Sequence, residues 1–216
     1  MRRQTVVYVI WILQLSILAL AVVGLATGNA TWVPAGVVSF VITLLPAILE
    51  RRVNVVLPLW LVLWIVVSLF LHATGGYFGF YDSVPYWDHI THAISSSLVA
   101  ALGFIVVVTI DVFVESIRLP RPFLAVFVFV FAVALGVFWE IMEYAQDWLI
   151  GTRLQYNLDD TMIDLFFDAM AGLTVAIGVF VYIMFYKSPE EFVGSMGIID
   201  ASQKLGPLMR FGRKTH

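Results

Sequence analysis

Phe123 to Phe138 is a run of sixteen residues with no charge and nothing more polar than one Gly. Comparable apolar stretches recur at roughly 5–27, 31–49, 53–72, 88–110, 122–149 and 161–186. About 20 helical residues, rising ~1.5 Å each, cross a hydrocarbon core of ~30 Å. Backbone in lipid must satisfy its own hydrogen bonds, which an open strand cannot do, so the stretches read as helices. The expected fold class is all-α: a polytopic membrane helix bundle with six transmembrane helices. With 61% hydrophobic and only 12% charged residues, a water-soluble domain is excluded. The apolar part of Thr5–Ala26 is too long for a signal-peptide core, so it reads as a retained first helix. The chain has no Cys, which excludes disulfides and thiolate metal sites. The division expected is a six-helix transmembrane domain over 1–186 and a polar, basic cytoplasmic tail over 187–216.

Orientation follows from Lys and Arg. In the six-span reading Arg2, Arg3, Arg51, Arg52, Arg118, Arg121, Lys187, Lys204, Arg210, Arg213 and Lys214 fall on one side. Arg153 alone falls on the other. The positive-inside rule then makes both termini cytoplasmic and the protein a multi-pass component of the inner or plasma membrane. Tyr77, Tyr81, Tyr86, Trp87, Trp148 and Tyr156 would form an aromatic belt at the outer face. The sequon Asn29-Ala30-Thr31 lies too near the bilayer to carry weight. The basic residues match what orientation requires and form no dense patch, so nucleic acid is not an expected partner.

The same orientation gathers acids at the outer ends of three spans. Span four carries Asp88, His89 and His92. Span five carries Glu140, Glu143 and Asp147 at i, i+3 and i+7. Span six carries Asp160, Asp164 and Asp168 at i, i+4 and i+8. At those spacings each helix projects its polar groups from one face. Eighteen residues separate His92 from Asp111 and Asp168 from Lys187, slightly short of a full span. His92, Glu140 and Asp168 should therefore share one level just inside the outer hydrocarbon edge. A charged Asp at a helix centre costs ~2.5–3.5 kcal/mol. The plain alternative, an interhelical hydrogen-bond network, returns only ~0.6 kcal/mol per bond. Arg153 and three His cannot neutralise so many acids, so protons, cations or water must share the spot. Carboxylates and imidazole converging from several helices suit a divalent cation. Asp88, His92, Glu140, Glu143, Asp164 and Asp168 are the candidate ligands. Asp82, Asp147, Asp159 and His72 read as rim or interfacial groups, and Ser95 and Ser96 as neighbours able to orient His92.

These residues also carry a resemblance. Asp88-x3-His92, Trp139-Glu140-Ile141-Met142-Glu143, and Asp160-Thr161-Met162-Ile163-Asp164 with Asp168 and Gly172 resemble the YjdF-like family of membrane proteins. Gly75-Gly76, the aromatic residues after it and Val84-Pro85 fit the same pattern, so the likeness runs from about residue 70 to 180. More distantly, the Asp-x3-His, Glu and Asp order is similar to VanZ-like proteins. The resemblance implies six helices in an inner membrane and no established activity. His89 stands where that family commonly has Arg, and Tyr77 where it often has His.

Three function classes stay open on these grounds. In the first, a metal-dependent hydrolase or transferase acts on a lipid-linked or amphipathic substrate. Glu140, Glu143 and Asp164 are its candidate catalytic groups, with Arg153, Asp160 and His89 at the substrate rim. In the second, the acids couple proton or cation transport, although the inner halves of spans four to six offer almost nothing ionisable. In the third, the polar layer docks a partner helix in a non-catalytic assembly. Membrane lipid or a lipid-linked molecule is the expected partner. Substrate, metal identity and oligomeric state are not legible in the sequence.

Overall fold

A computed structural model of the chain describes residues 3–28, 32–53, 55–114, 116–117, 119–185 and 188–195. The sequon, Arg2, Arg118, Lys187 and the tail from 196 onward lie outside the described residues. Among those described the protein is helical and has no strand. Six stretches are long and apolar enough to cross a membrane: Arg3–Thr27, Val33–Arg52, Leu59–Phe78, Trp87–Phe113, Arg121–Leu149 and Leu158–Phe185.

In chain order the helices are α1 (Arg3–Thr27), α2 (Val33–Thr43), α3 (Leu45–Val53), α4 (Leu59–Phe78), α5 (Phe80–Ser83), α6 (Trp87–Phe113), α7 (Arg121–Ile150), α8 (Leu158–Phe185) and α9 (Pro189–Ser195). The second span is broken into α2 and α3 at Leu44, two residues before Pro46. A proline there has no N–H to donate and crowds the carbonyl four residues back. The third span starts at Leu59 rather than near 53, because Pro58, with ψ 139°, sits outside the helix. It then runs past His72 to Phe78, with Gly75 and Gly76 buried inside α4 rather than opening a loop. Both glycines are needed there. A Cβ on Gly75 would collide with the Trp87 indole and the Tyr81 ring, and one on Gly76 with Trp32. The turn itself falls at Gly79, whose φ of 68° suits a residue without a side chain.

Helices α6, α7 and α8 pack against one another, as do α1, α2 and α4, and the two groups meet chiefly where α4 touches α6. The α6–α7–α8 core is built on stripes that step by about one turn. On α6 the stripe is Ala100, Phe104 and Val108, on α7 Leu124, Val128 and Ala132, and on α8 Ala176, Val179 and Ile183. Small residues let the backbones approach, as expected where packing rather than dehydration drives association. Gly172 lies against Ala132, and Gly103 receives the ring of Phe131. The three stripes continue straight into the polar layer. Stepping by four from the core, α6 reaches Ser96, His92 and Asp88, α7 reaches Gly136 and Glu140, and α8 reaches Asp168 and Asp164. The acids are therefore aimed at the same axis as the core.

At the opposite end, buried Asp111 accepts a hydrogen bond from the Leu119 backbone N–H (2.7 Å), which ties down the α6–α7 connection. After span six, α9 folds back on α6, with Val193 buried and Phe192 packed on Phe104 (4.8 Å between centroids).

Candidate metal and substrate site

His92 is the hub of the polar layer. Its Nδ1 lies 3.2 Å from Asp168 Oδ1, and the Ser96 hydroxyl donates to that same oxygen. A carboxylate only accepts, so neutral His92 places its proton on Nδ1, toward Asp168. The Nε2 lone pair then faces Asp88 Oδ1 at 3.6 Å and Glu140 Oε1 at 3.8 Å. In metal-binding histidines a carboxylate on one ring nitrogen fixes the tautomer and turns the other nitrogen toward the ion, which here would sit between Nε2 and the acids it faces.

Ligand atoms from Asp88, His92 and Asp164 all lie within 4.8 Å of one another. Two atoms each ~2.1 Å from one cation are ~3–4.2 Å apart, depending on the angle between them. A pair 4.8 Å apart would have to close by about 0.6–1.8 Å to share one ion, a movement within reach of side-chain rotation. Glu140 is 5% exposed, and its Oε1 has no hydrogen-bond partner although it faces the centre of the group. A buried carboxylate oxygen without a donor is costly, and a cation beside it removes the cost. On these observations the residues present fit a divalent cation.

The supports of these groups come from every neighbouring element. His89 donates from Nδ1 to Asp164 Oδ1 at 2.8 Å, and its ring stacks on Phe167 at 5.3 Å. Asp168 fits because Gly136 has no side chain: a Cβ there would strike its Oδ2. Asp147 folds the α7–α8 loop by accepting from Thr152 Oγ1 (2.7 Å) and from the backbone N–H groups of Leu154 (2.8 Å) and Gln155 (2.9 Å). The loop so held delivers Gln155, whose Nε2 donates to the Glu140 backbone carbonyl at 3.0 Å and to Glu140 Oε2 at 3.2 Å. Asn157 starts α8 by accepting from the N–H groups of Asp159 and Asp160.

Of the expected ligands, Asp88, His92 and Asp164 converge, and Glu140 joins them through His92. Asp168 lies on the far nitrogen of His92, where it orients the ring. Glu143 Oε1 accepts from its own helix, from Trp139 Nε1 at 2.9 Å, and the side chain faces the adjoining cavities instead of His92. Asp160 stands at the α8 N-terminus, one turn before Asp164. Among the described residues, Arg153 makes no ion pair, and every ion pair within 4 Å at the cluster uses a histidine.

Two cavities meet at this layer. A vestibule of about 100 Å³ is bordered by Arg153, Asp82 and Tyr156, and a larger cavity of about 420 Å³ extends from it along α4 and α6. His72, Tyr81, Asp88 and Glu143 line both. His72 is thus part of the site wall: its Nδ1 is 2.8 Å from the Tyr81 hydroxyl and its ring stands edge-on to Trp139. Tyr81 and Trp87 face inward, unlike the lipid-facing belt expected of them, whereas Tyr86 and Trp148 are exposed. Burial, with neighbouring carboxylates adding to it, holds the Tyr81 phenol above its ordinary range and so protonated. Tyr156 is pushed up likewise, by burial first and then by Asp82, whose Oδ1 accepts its hydroxyl at 2.6 Å.

Residues 8–184 match the family described as Predicted membrane protein (DUF2238). The chain belongs to that family. It is also 30% identical over 133 residues to an uncharacterized protein of Thermotoga maritima, across 61% of this chain and 67% of that one. No solved structure matches. Family and helices together make this a multi-pass integral membrane protein that carries a carboxylate–histidine cluster.

Sequence reasoning missed Gln155, Gly136 and the role of His72. The one Gly in the run Phe123–Phe138 was the available signal for Gly136. Gln155 could have been inferred only from Asp147 and Asn157, loop-capping residue types placed on either side of it.

Proposed function

We propose that this protein is a metal-dependent hydrolase or transferase acting on a lipid-linked or amphipathic substrate at the outer face of the inner or plasma membrane. The observation that carries the reading is the convergence of Asp88, His92 and Asp164 from two helices beside the unpartnered Glu140 Oε1 of a third. Asp88, His92, Asp164 and Glu140 would hold the cation, with Asp168 and Ser96 setting the His92 ring and His89 and Gln155 steadying Asp164 and Glu140. When bound, such an ion polarises a phosphoryl or carbonyl oxygen and makes water a better nucleophile near neutral pH.

The chain's own groups supply the rest. Glu143 borders both cavities and has one oxygen held by Trp139, which leaves the other to accept the nucleophile's proton. Tyr81, kept protonated, can donate to an oxygen of the substrate or leaving group in the neck between the cavities. Arg153 stands at the rim of the vestibule, where it would meet an anionic head group, whereas Asp160 borders neither cavity. The ordered motifs support grouping the chain with YjdF-like proteins, while kinship with VanZ-like proteins rests on the Asp-x3-His, Glu and Asp order alone.

Elemental analysis of purified protein tests the reading. At least one divalent ion per chain is expected, with affinity reduced tenfold or more in Asp164→Asn. A wild type without bound cation, and with the same melting temperature in chelator, would overturn it.

A further inference from the structure

The larger cavity has the shape and chemistry of a site for one hydrocarbon chain. Its α6 wall runs from Asp88 through His92, Ser95 and Val99 to Leu102. Those fourteen helical steps span about 21 Å, which is some two thirds of a ~30 Å hydrocarbon core. Its polarity changes along that length. The end shared with the vestibule holds His72, Tyr81, Asp88 and Glu143, and the deep end holds Leu49, Leu57, Ile65 and Leu102. Among the described residues no ionisable side chain lines the deep half, so those residues offer charge no route onward across the membrane. A volume of about 420 Å³ with mainly apolar walls and a few polar groups at one end falls in the range of small-molecule pockets.

The cavity also opens sideways. Leu45 of α3 and Phe138 of α7 border it, both are exposed, and α3 and α7 have next to no packing with each other. The break at Leu44–Pro46 bends the second span at this level and contributes Leu45, Pro46 and Leu49 to the wall. Water would be a poor occupant of so apolar a space at bilayer depth. An acyl or prenyl chain entering from the bilayer between α3 and α7 would be a good one.

We infer that the cavity between α4, α6 and α7 binds the single hydrocarbon chain of an amphiphile whose anionic head lies in the vestibule, between Arg153 and the carboxylate–histidine cluster. The inference rests on the proposed function for the chemistry of the head but not for the binding of the chain. It names the substrate class: a molecule with one long acyl or prenyl tail and a phosphate or carboxylate at its end. The head reaches the cluster because His72, Tyr81, Asp88 and Glu143 belong to both compartments. The tail measures depth, placing the head at His92 without any contact specific to its own structure.

The test uses the full chain in nanodiscs with hexadecyl phosphate bearing a diazirine at the end of its tail, followed by peptide mapping of the crosslinks. A prenyl phosphate carrying the same group forms the second arm and distinguishes a straight from a branched tail. Crosslinks should fall on the segments containing Leu57, Ile65 and Leu102. Leu102→Trp and, independently, Ile65→Phe should each reduce them tenfold or more while leaving the bound metal unchanged. Unlabelled hexadecyl phosphate should compete, and hexadecane should compete at least tenfold less well. Crosslinks confined to lipid-facing residues such as Val126 and Val130, or unaffected by both cavity-filling variants, would overturn the inference. Equal competition by the headless alkane would do so too. Repeating the labelling in chelator separates the two readings: deep labelling from a protein that binds no metal sinks the metal reading and leaves the chain site standing. A metal-loaded protein without deep labelling does the reverse.

Discussion

At the scale of single residues, the site depends on side chains that never touch a ligand. Ser96 donates to Asp168, and Asp168 holds the Nδ1 side of His92. Removing such a support usually lowers metal affinity 10–100-fold. Ser96→Ala should therefore weaken binding by about that factor in calorimetric titration, for only ~1 kcal/mol of stability. Equal affinity in the variant would mean that His92 needs no such orientation. Gly136→Ala has the opposite balance. Its new methyl would push against Asp168 in a closely packed stripe, so it should cost ~1–3 kcal/mol of stability and displace Asp168 from His92. Thermal melting of the detergent-solubilised variant, read beside its metal affinity, checks both effects. The acids were legible in the sequence because charged residues at helical spacing in apolar runs have no inexpensive bland explanation. Gly136 was not, because one Gly in a membrane helix reads as ordinary close packing until the partner helix is known to present Asp168. The division of labour between Asp168 and Asp164 was equally hidden, since their spacing puts both on one face and says nothing of which histidine each meets, His92 for Asp168 and His89 for Asp164.

At the scale of elements, the last turn of α7 and the loop after it act as one clamp. Gly151 ends the helix with φ 76°, and Asp147 gathers Thr152, Leu154 and Gln155 so that Gln155 meets Glu140. Asp147→Ala removes three hydrogen bonds at once, which at ~0.5–1.5 kcal/mol each predicts a loss of roughly 1.5–4.5 kcal/mol. Because it also frees Gln155, metal affinity should fall with stability. Gln155→Ala should lower affinity with a smaller loss of stability, since the loop keeps its backbone contacts. Chemical unfolding together with metal titration separates the two variants, and unchanged affinity in both would show that Glu140 is positioned without the loop. In the sequence Asp147 reads as a solvated rim acid, because an exposed position at a helix end is where such acids usually sit. Its partners are backbone N–H groups of a loop whose path residue spacing does not give. Helix number was legible from apolar length, but the ends of α3 and α4 were not. The spans read as 31–49 and 53–72 run straight through Pro46 and Pro58, where the helix is interrupted, and stop short of Gly75-Gly76, which lies inside it. The glycines accommodate Trp87, Tyr81 and Trp32, neighbours from other elements that no local pattern reveals.

At the scale of the whole molecule, the distribution of Lys and Arg decides which side of the membrane the vestibule faces. Six spans put the start of α1 and the end of α8 on one side, together with Arg3, Arg51, Arg52 and Arg121, and leave Arg153 on the side of the cluster. Lys and Arg set orientation while Asp and Glu contribute little, so the seven acids of the polar layer do not offset that bias. The vestibule should therefore open away from the cytoplasm. Because the native chain has no Cys, a single introduced thiol reports its own position without background. Asp159, exposed in the first turn of α8, marks the cluster end, and Arg51, exposed near the end of α3, marks the other. In intact cells a membrane-impermeant maleimide should label Asp159→Cys and leave Arg51→Cys unlabelled until the membrane is permeabilised. Neither residue supports the cluster, so both variants should fold and bind metal as the wild type does. The reverse labelling pattern would turn the vestibule toward the cytoplasm. The geometry around His92 would survive that result unchanged, but the head group it meets would then come from the cytoplasmic leaflet.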